Sequence, residues 1–186
     1  MEFEQIWAPW RLGYVIGDKK MPPLDEPLEL PGADPACFLC QAVPVTDDRE
    51  RLVIDRGEHT VTVVNRYPYN NGHLLIGPQR HLARLDECDP AVQGEMTAKI
   101  AGMVALLEKV IHPHGFNIGL NLGAAAGAGL PGHLHWHIVP RWNGDTNFMP
   151  AIGGIKAIPQ SLEALWETLT AEIHKQRSET KRRNET

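Results

Sequence analysis

Two periodicities divide the chain. Leu52-Val53-Ile54, a turn at Arg56-Gly57 and His59-Thr60-Val61-Thr62-Val63-Val64 are short runs rich in β-branched residues around a turn signal, the pattern of a hairpin. The turn-rich stretch Asn65 to Gly72 then leads into a further strand at His73-Leu74-Leu75-Ile76-Gly77, with Asn71-Gly72 marking the return. The spacing changes at Asp89, which stands as helix N-cap before Pro90. Val92, Met96, Ile100, Met103, Val104, Leu107 and Ile111 follow at helical intervals, and Pro113 and Gly115 end the helix. These aliphatics and methionines read as core, not as a cofactor box. A last helix begins near Pro159 and carries Leu162, Leu165, Trp166, Leu169 and Ile173 as its buried stripe.

Between the helices, Phe116 to Leu122 alternates with period two. Phe116, Ile118, Leu120 and Leu122 fall on one face, and Asn117, Gly119 and Asn121 on the other. The next alternating run is His133-Leu134-His135-Trp136-His137-Ile138-Val139. The connection between the two is too short for a crossover helix, so they are expected to pair antiparallel, with Asn117 and Asn121 beside the histidines. Strands interrupted by one long helix, and a second helix at the end, give an α+β fold with an antiparallel sheet.

As a strand, the second run would put three imidazoles on one face, roughly 6 to 7 Å apart. Imidazole serves as base, nucleophile or metal ligand near neutral pH, so this face reads as an active site. A three-histidine metal site remains open, although neighbours on one strand converge poorly on a single ion. A histidine nucleophile needs a free nitrogen, an acceptor that fixes its tautomer, and donors for developing phosphoryl charge. His135, flanked by His133 and His137 and faced by Asn121, meets that list.

Composition narrows the field. The 186 residues suit one domain, and a net charge of -5 with scattered basic residues argues against a nucleic-acid partner. The basic stretch Lys175 to Arg183 reads as a frayed, solvated end. An acidic start without a long apolar run predicts neither a signal peptide nor a membrane span, hence a cytoplasmic protein. Three cysteines do not make a disulfide framework; Cys88 reads as packed, and Cys37-Phe38-Leu39-Cys40 as half of a zinc site or as two buried thiols. The glycine-rich loop Gly123 to Gly132 precedes a strand instead of opening a helix, so it is no dinucleotide fingerprint. It is either a flexible hairpin loop or a backbone able to approach phosphate closely. No organic cofactor is expected. His59, His73, His112, His114 and His174 read as surface or local hydrogen-bonding residues.

The run His133 to Val139 resembles the His-φ-His-φ-His-φ-φ signature of the histidine triad (HIT) superfamily. Trp7 to Arg11, Asn65 to His73, His114 to Asn121 and Pro140 to Phe148 look like the branch that includes diadenosine tetraphosphate phosphorylases and hydrolases. The resemblance implies a HIT-like α+β fold, a homodimer and a nucleotide substrate. It makes His135 the nucleophile on the α-phosphorus, with His133 and His137 holding phosphate or leaving-group oxygens and Asn121 beside the scissile phosphate; Asn117 is taken as a further substrate contact. A nucleoside phosphoramidate hydrolase and a nucleotide-binding regulatory protein are the rival readings. Many relatives carry Gln or Ser just before the triad, where this chain has Gly129, Leu130 and Pro131. Leaving-group contacts are therefore assigned to the backbone at Gly129 and Leu130 or to other residues.

Some relatives, including the galactose-1-phosphate uridylyltransferase type, bind structural zinc with a cysteine pair, a histidine after a strand and the first triad histidine. Cys37, Cys40, His81 and His133 match those positions. The chain divides accordingly into an N-terminal arm and loop (1–36), a HIT domain (37–160), and a C-terminal helix with a basic tail (161–186). The aromatics of the arm suggest that it wraps the domain or a neighbouring subunit.

Overall fold

In the chain's central hairpin, β-branched residues pair across the turn as the pattern requires: β1 (Val53–Arg56) lies antiparallel to β2 (Thr60–Val64), and β2 to β3 (Leu74–Pro78). The computed structural model describes residues 32–44, 48–145 and 158–184. The expected arm with Trp7, Trp10 and Tyr14 falls outside the described residues, as do Asn147 and Phe148. Among the described residues, two short helices, α1 (Phe38–Ala42) and α2 (Asp48–Arg51), precede the hairpin. A 3-10 turn (Leu85–Glu87) and the long helix α3 (Pro90–Ile111) follow it, then β4 (Gly115–Leu120), a second 3-10 turn (Ala124–Ala126), β5 (Trp136–Arg141) and α4 (Leu162–Asn184). The five strands form one antiparallel sheet in the order β1-β2-β3-β5-β4. The α+β expectation holds.

Helix α3 starts at Pro90 as expected, but the Asp89 side chain makes no capping hydrogen bond. It stands 3.7 Å from Arg80 instead. The helix ends where His112 takes a left-handed conformation ahead of Pro113, which cannot extend the ladder. All seven apolar positions expected on its inner face pack in one core with Ile54, Val64, Leu74, Ile76, Ile138 and the α4 residues Leu165, Leu169 and Ile173. Each such buried aliphatic side chain contributes about 1.5–3 kcal/mol relative to exposure. The Trp166 indole N–H donates to the Val53 carbonyl at 2.7 Å, anchoring α4 on β1. Helix α4 does not fray at Lys175: it runs through the basic stretch to Asn184, and Arg177 joins Lys99 in pairing with the buried Asp55 of β1.

The opposite face of the sheet is covered by α1. Val53, Val61, Val63 and Leu75 form a second, smaller core there with Cys37, Leu39, Cys40 and Ala42. Because cross-strand partners share a face, the pair Leu75 and His137 points to this second side. Gly72 turns the chain into β3 at φ +75°, and a Cβ there would meet Ile111 Cδ1 at 2.5 Å. Only glycine satisfies both constraints.

Candidate active site

The histidine run is not one continuous strand. β5 begins at Trp136, since the Leu134 N–H donates to the Leu82 carbonyl at 2.6 Å and the His133 N–H to the Leu130 carbonyl at 3.4 Å, outside any strand ladder. The apolar positions nevertheless all enter the main core, with Leu134 and Ile138 buried and Trp136 packed against them. Departure from the ladder divides the three histidines between two clusters.

His133 is fully buried. Its Nε2–H donates to the Pro78 carbonyl at 2.8 Å, which leaves a lone pair on Nδ1 facing Cys37 Sγ at 3.2 Å and Cys40 Sγ at 3.5 Å. His81 Nδ1 lies 3.2 Å from Cys40 Sγ. The four ligand atoms fall within 4.8 Å of one another. Two sulfurs and two ring nitrogens at these spacings fit a tetrahedral zinc, whose ligand atoms stand roughly 3.5 Å apart given bonds of about 2.0–2.3 Å. Burial pushes the Cys37 thiol up to about 12, so a divalent cation is what would draw its proton off. Gly132 leaves room for the cluster: a Cβ there would meet His81 Nε2 at 3.1 Å. Both nitrogens of His133 are thus engaged by groups outside the His135–His137 pair.

His135 is held through its own predecessor. Its Nδ1–H donates to the His133 carbonyl at 2.7 Å, so Nε2 carries the lone pair and has no protein partner among the described residues. Burial lowers its pKa and keeps the ring neutral, the state a nucleophile requires. The His137 ring lies 4.9 Å away, centroid to centroid, and Phe38 of α1 flanks the other side at 6.4 Å. His137 is pushed down to about 4, by burial first and by repulsion from His135 second. Its Nε2 is buried without a hydrogen-bond partner among the described residues, and its Nδ1 meets His73 Nε2 at 3.0 Å.

Of the two readings offered for His73, a surface residue or a local hydrogen-bonding one, the structure keeps the second through Asn65 and Tyr69. His73 is fully buried behind His137 and is no surface residue. Its position directly after the Asn71-Gly72 turn, at the mouth of β3, was the available signal, because the β3–β5 pairing brings that strand end beside His137. Tyr69, 52% exposed, lies over the pair, with ring centroids 5.7 Å from His137 and 4.7 Å from His73.

The asparagines separate. Gly119 sits opposite His137, and Asn121 follows directly after the end of β4, half-buried and beyond the paired register. Asn117 lies opposite Val139, exposed, and accepts a hydrogen bond from Arg141 Nη1 at 2.7 Å. Arg141 also pairs with Asp145, whose carboxylate accepts from Asn70 at 2.8 Å. Gly129 is exposed in the loop before the histidines, and the Leu130 side chain packs against the second core.

The profile of the HIT domain family matches residues 47–144. A protein named AP-4-A phosphorylase from Mycobacterium tuberculosis is 38% identical over 175 residues, covering 94% of this chain and 87% of that one. The asymmetrical bis(5'-nucleosyl)-tetraphosphatase of Schizosaccharomyces pombe is 33% identical over 93 residues, half of each chain. Among solved structures, a Zn-bound histidine triad family protein from Mycobacterium smegmatis superposes with a TM-score of 0.61 at 25% identity, over 77% of this chain and 96% of that one.

Proposed function

The chain belongs to the HIT domain family, and from that premise we propose that it cleaves a dinucleoside polyphosphate of the diadenosine tetraphosphate type at the α-phosphate, by way of a nucleotide bound covalently to His135. One observation carries the reading: His135 is buried and neutral, with Nδ1–H fixed on the His133 carbonyl and Nε2 left as a bare lone pair. That nitrogen forms a bond to the α-phosphorus while the bond to the bridging oxygen breaks, and the leaving nucleotide takes the electron pair. Phosphate or water then attacks the same phosphorus and releases His135. His137 Nε2–H would donate to a phosphate oxygen, and Asn121 and the backbone at Gly129 and Leu130 would contact the rest of the substrate. Asn117 contributes through Arg141. The similarity to a phosphorylase and a tetraphosphatase supports this substrate class.

Cys37, Cys40, His81 and His133 would hold a structural zinc. Bound there, it would neutralise the two thiolates and lock the His133 backbone whose carbonyl aims His135. The half-exposed edge strand β4 supports a homodimer, and a nucleotide substrate of this kind fits a cytoplasmic location. No described helix is long and apolar enough to cross a membrane.

The test is incubation with diadenosine tetraphosphate with and without inorganic phosphate, followed by acid-free quenching and mass analysis of the His135 peptide. ADP plus ATP only with phosphate makes the enzyme a phosphorylase, and AMP plus ATP regardless makes it a hydrolase. His135→Ala is expected to lower turnover by at least about 10⁴-fold while nucleotide binding persists. Undiminished turnover in that variant overturns the assignment, and absence of turnover in the wild type points to a binding role.

A further inference from the structure

The hydrogen-bond chain behind His137 starts at Asn65, at the end of β2. The Asn65 Oδ1 accepts the Tyr67 N–H at 3.0 Å, so it is the Nδ2 amide that turns to His73 Nδ1, 3.2 Å away. The Tyr69 backbone N–H donates to the same nitrogen at 3.0 Å. Two donors aimed at Nδ1 require a lone pair there, so the His73 proton resides on Nε2 and donates to His137 Nδ1 at 3.0 Å. His137 in turn holds its proton on Nε2, the buried atom with no partner among the described residues. A second proton on His137 Nδ1 would collide with the His73 Nε2–H. Shifting that hydrogen to Nδ1 would set it against the Tyr69 N–H. Tyr69 covers the pair from one side and His135 lies beside it on the other.

We propose that Asn65, acting through His73, is a positioning and specificity-determining residue: it holds His137 as a neutral donor and so restricts the enzyme to leaving groups that depart without taking up a proton. This rests on the reading of His135 as the nucleophile. When His135 Nε2 bonds to the α-phosphorus and the P–O bond breaks, the electron pair leaves on a polyphosphate oxygen, an anion stable at neutral pH. His137 keeps its proton throughout, donating it to a phosphate oxygen. A nucleoside phosphoramidate would break a P–N bond and place the pair on an amine nitrogen that must be protonated as it leaves. A neutral imidazole would become an imidazolate in supplying that proton, so it is a poor acid for the step.

Asn65→Asp exchanges a donor for an acceptor of the same shape. The new carboxylate, a charged acceptor beside Nδ1, outweighs the single remaining Tyr69 N–H donor and draws the His73 proton to Nδ1, and His73 Nε2 then accepts from His137 Nδ1–H. His137 becomes able to carry two protons and to act as an acid. The experiment measures kcat/KM for diadenosine tetraphosphate and for an adenosine 5'-phosphoramidate of an alkylamine, in the full chain and in the variant. Alongside it, ¹⁵N chemical shifts of the histidine rings are read in the wild type at pH 7. The wild type is expected to show His73 and His137 protonated on Nε2 alone, and Asn65→Asp is expected to shift the substrate ratio toward the phosphoramidate by at least about 10-fold, the low end for general acid catalysis once discounted for imperfect geometry. A folded variant with an unchanged ratio, or a wild-type His73 protonated on Nδ1, overturns the proposal. The nitrogen shifts decide it alone if the variant does not fold. A wild type that turns over neither substrate overturns the reading of His135, and the proposal with it, whatever the shifts report.

Discussion

His137 sits where a proton is unwelcome, and stability should register that. Its folded pKa is about 4 because burial and neighbouring His135 disfavour the charged ring, against 6.5 for an ordinary histidine. Between those two values the unfolded chain binds the proton that the folded one refuses. Stability therefore rises with pH through this window and falls as pH drops from about 6.5 toward 4. Since the ring is only partly buried, we expect the loss to be on the order of 1–2 kcal/mol, less than the full shift implies. Comparing urea midpoints at pH 7 and pH 4.5 in the wild type and in His137→Gln measures it: the variant should lose less, and equal losses would remove His137 as the cause. The sequence exposed the residue types of this site but not their partition. Alternation correctly put Leu134, Trp136 and Ile138 in the core, yet it could not show that His133 turns to the cysteines, because that depends on Leu82 taking the Leu134 N–H. The contact of His73 with His137 was not legible for a similar reason: the two are 64 residues apart and are brought close by β3–β5 pairing.

At the scale of elements, α1 is five residues long and too short to hold itself together by backbone hydrogen bonds. Its stability comes from what it packs on. The Cys40 N–H donates to Cys37 Sγ at 3.4 Å, and both sulfurs reach across to His133 and His81. A metal at this point would fasten α1, the loop after β3 and the approach to β5 together, and the His133 carbonyl would hand that rigidity to His135. Cys37→Ser is therefore expected to lower bound zinc from about one per chain to a small fraction, and to lower the melting temperature by several degrees. It should also reduce kcat more than it changes KM, since the fault lies in aiming the nucleophile and not in holding the nucleotide. Elemental analysis and thermal scans read the first two effects without reference to activity. Unchanged zinc content would rule the cluster out as a metal site. The cysteine spacing was legible in the sequence, and the second half of the ligand set came from resemblance. The long helix and the antiparallel pairing of β4 with β5 followed from periodicity and loop length alone. The continuation of α4 past Lys175 did not, because the Asp55 that draws Arg177 into place lies 122 residues earlier in the chain.

For the molecule as a whole, β4 poses the remaining structural question. Among the described residues it stands at one end of the sheet, paired with β5 on one side only. The period-two pattern assigned Ile118 and Leu122 to the buried face along with Phe116 and Leu120. Phe116 and Leu120 do pack on the main core, but Ile118 is 43% and Leu122 47% exposed. An uncovered apolar edge strand is a template for pairing with another chain, and in symmetric dimers the same strand meets itself across a twofold axis. The sequence pattern is then satisfied at the level of the assembly, with a second copy supplying the cover that the described helices do not. On this reading Ile118→Lys places two like charges near the axis and should weaken association by at least about 100-fold, close to 2.7 kcal/mol. Sedimentation of wild type and variant at about 10 µM would show a dimer giving way to a monomer, with circular dichroism unchanged because the substituted side chain is largely outside the core. A wild type that sediments as a monomer, or a variant that remains a dimer, would leave the exposed residues of β4 to some other partner. Because Gly119 of this strand faces His137, the monomer should also lose part of its turnover, which would tie the edge of the sheet to the chemistry at its centre.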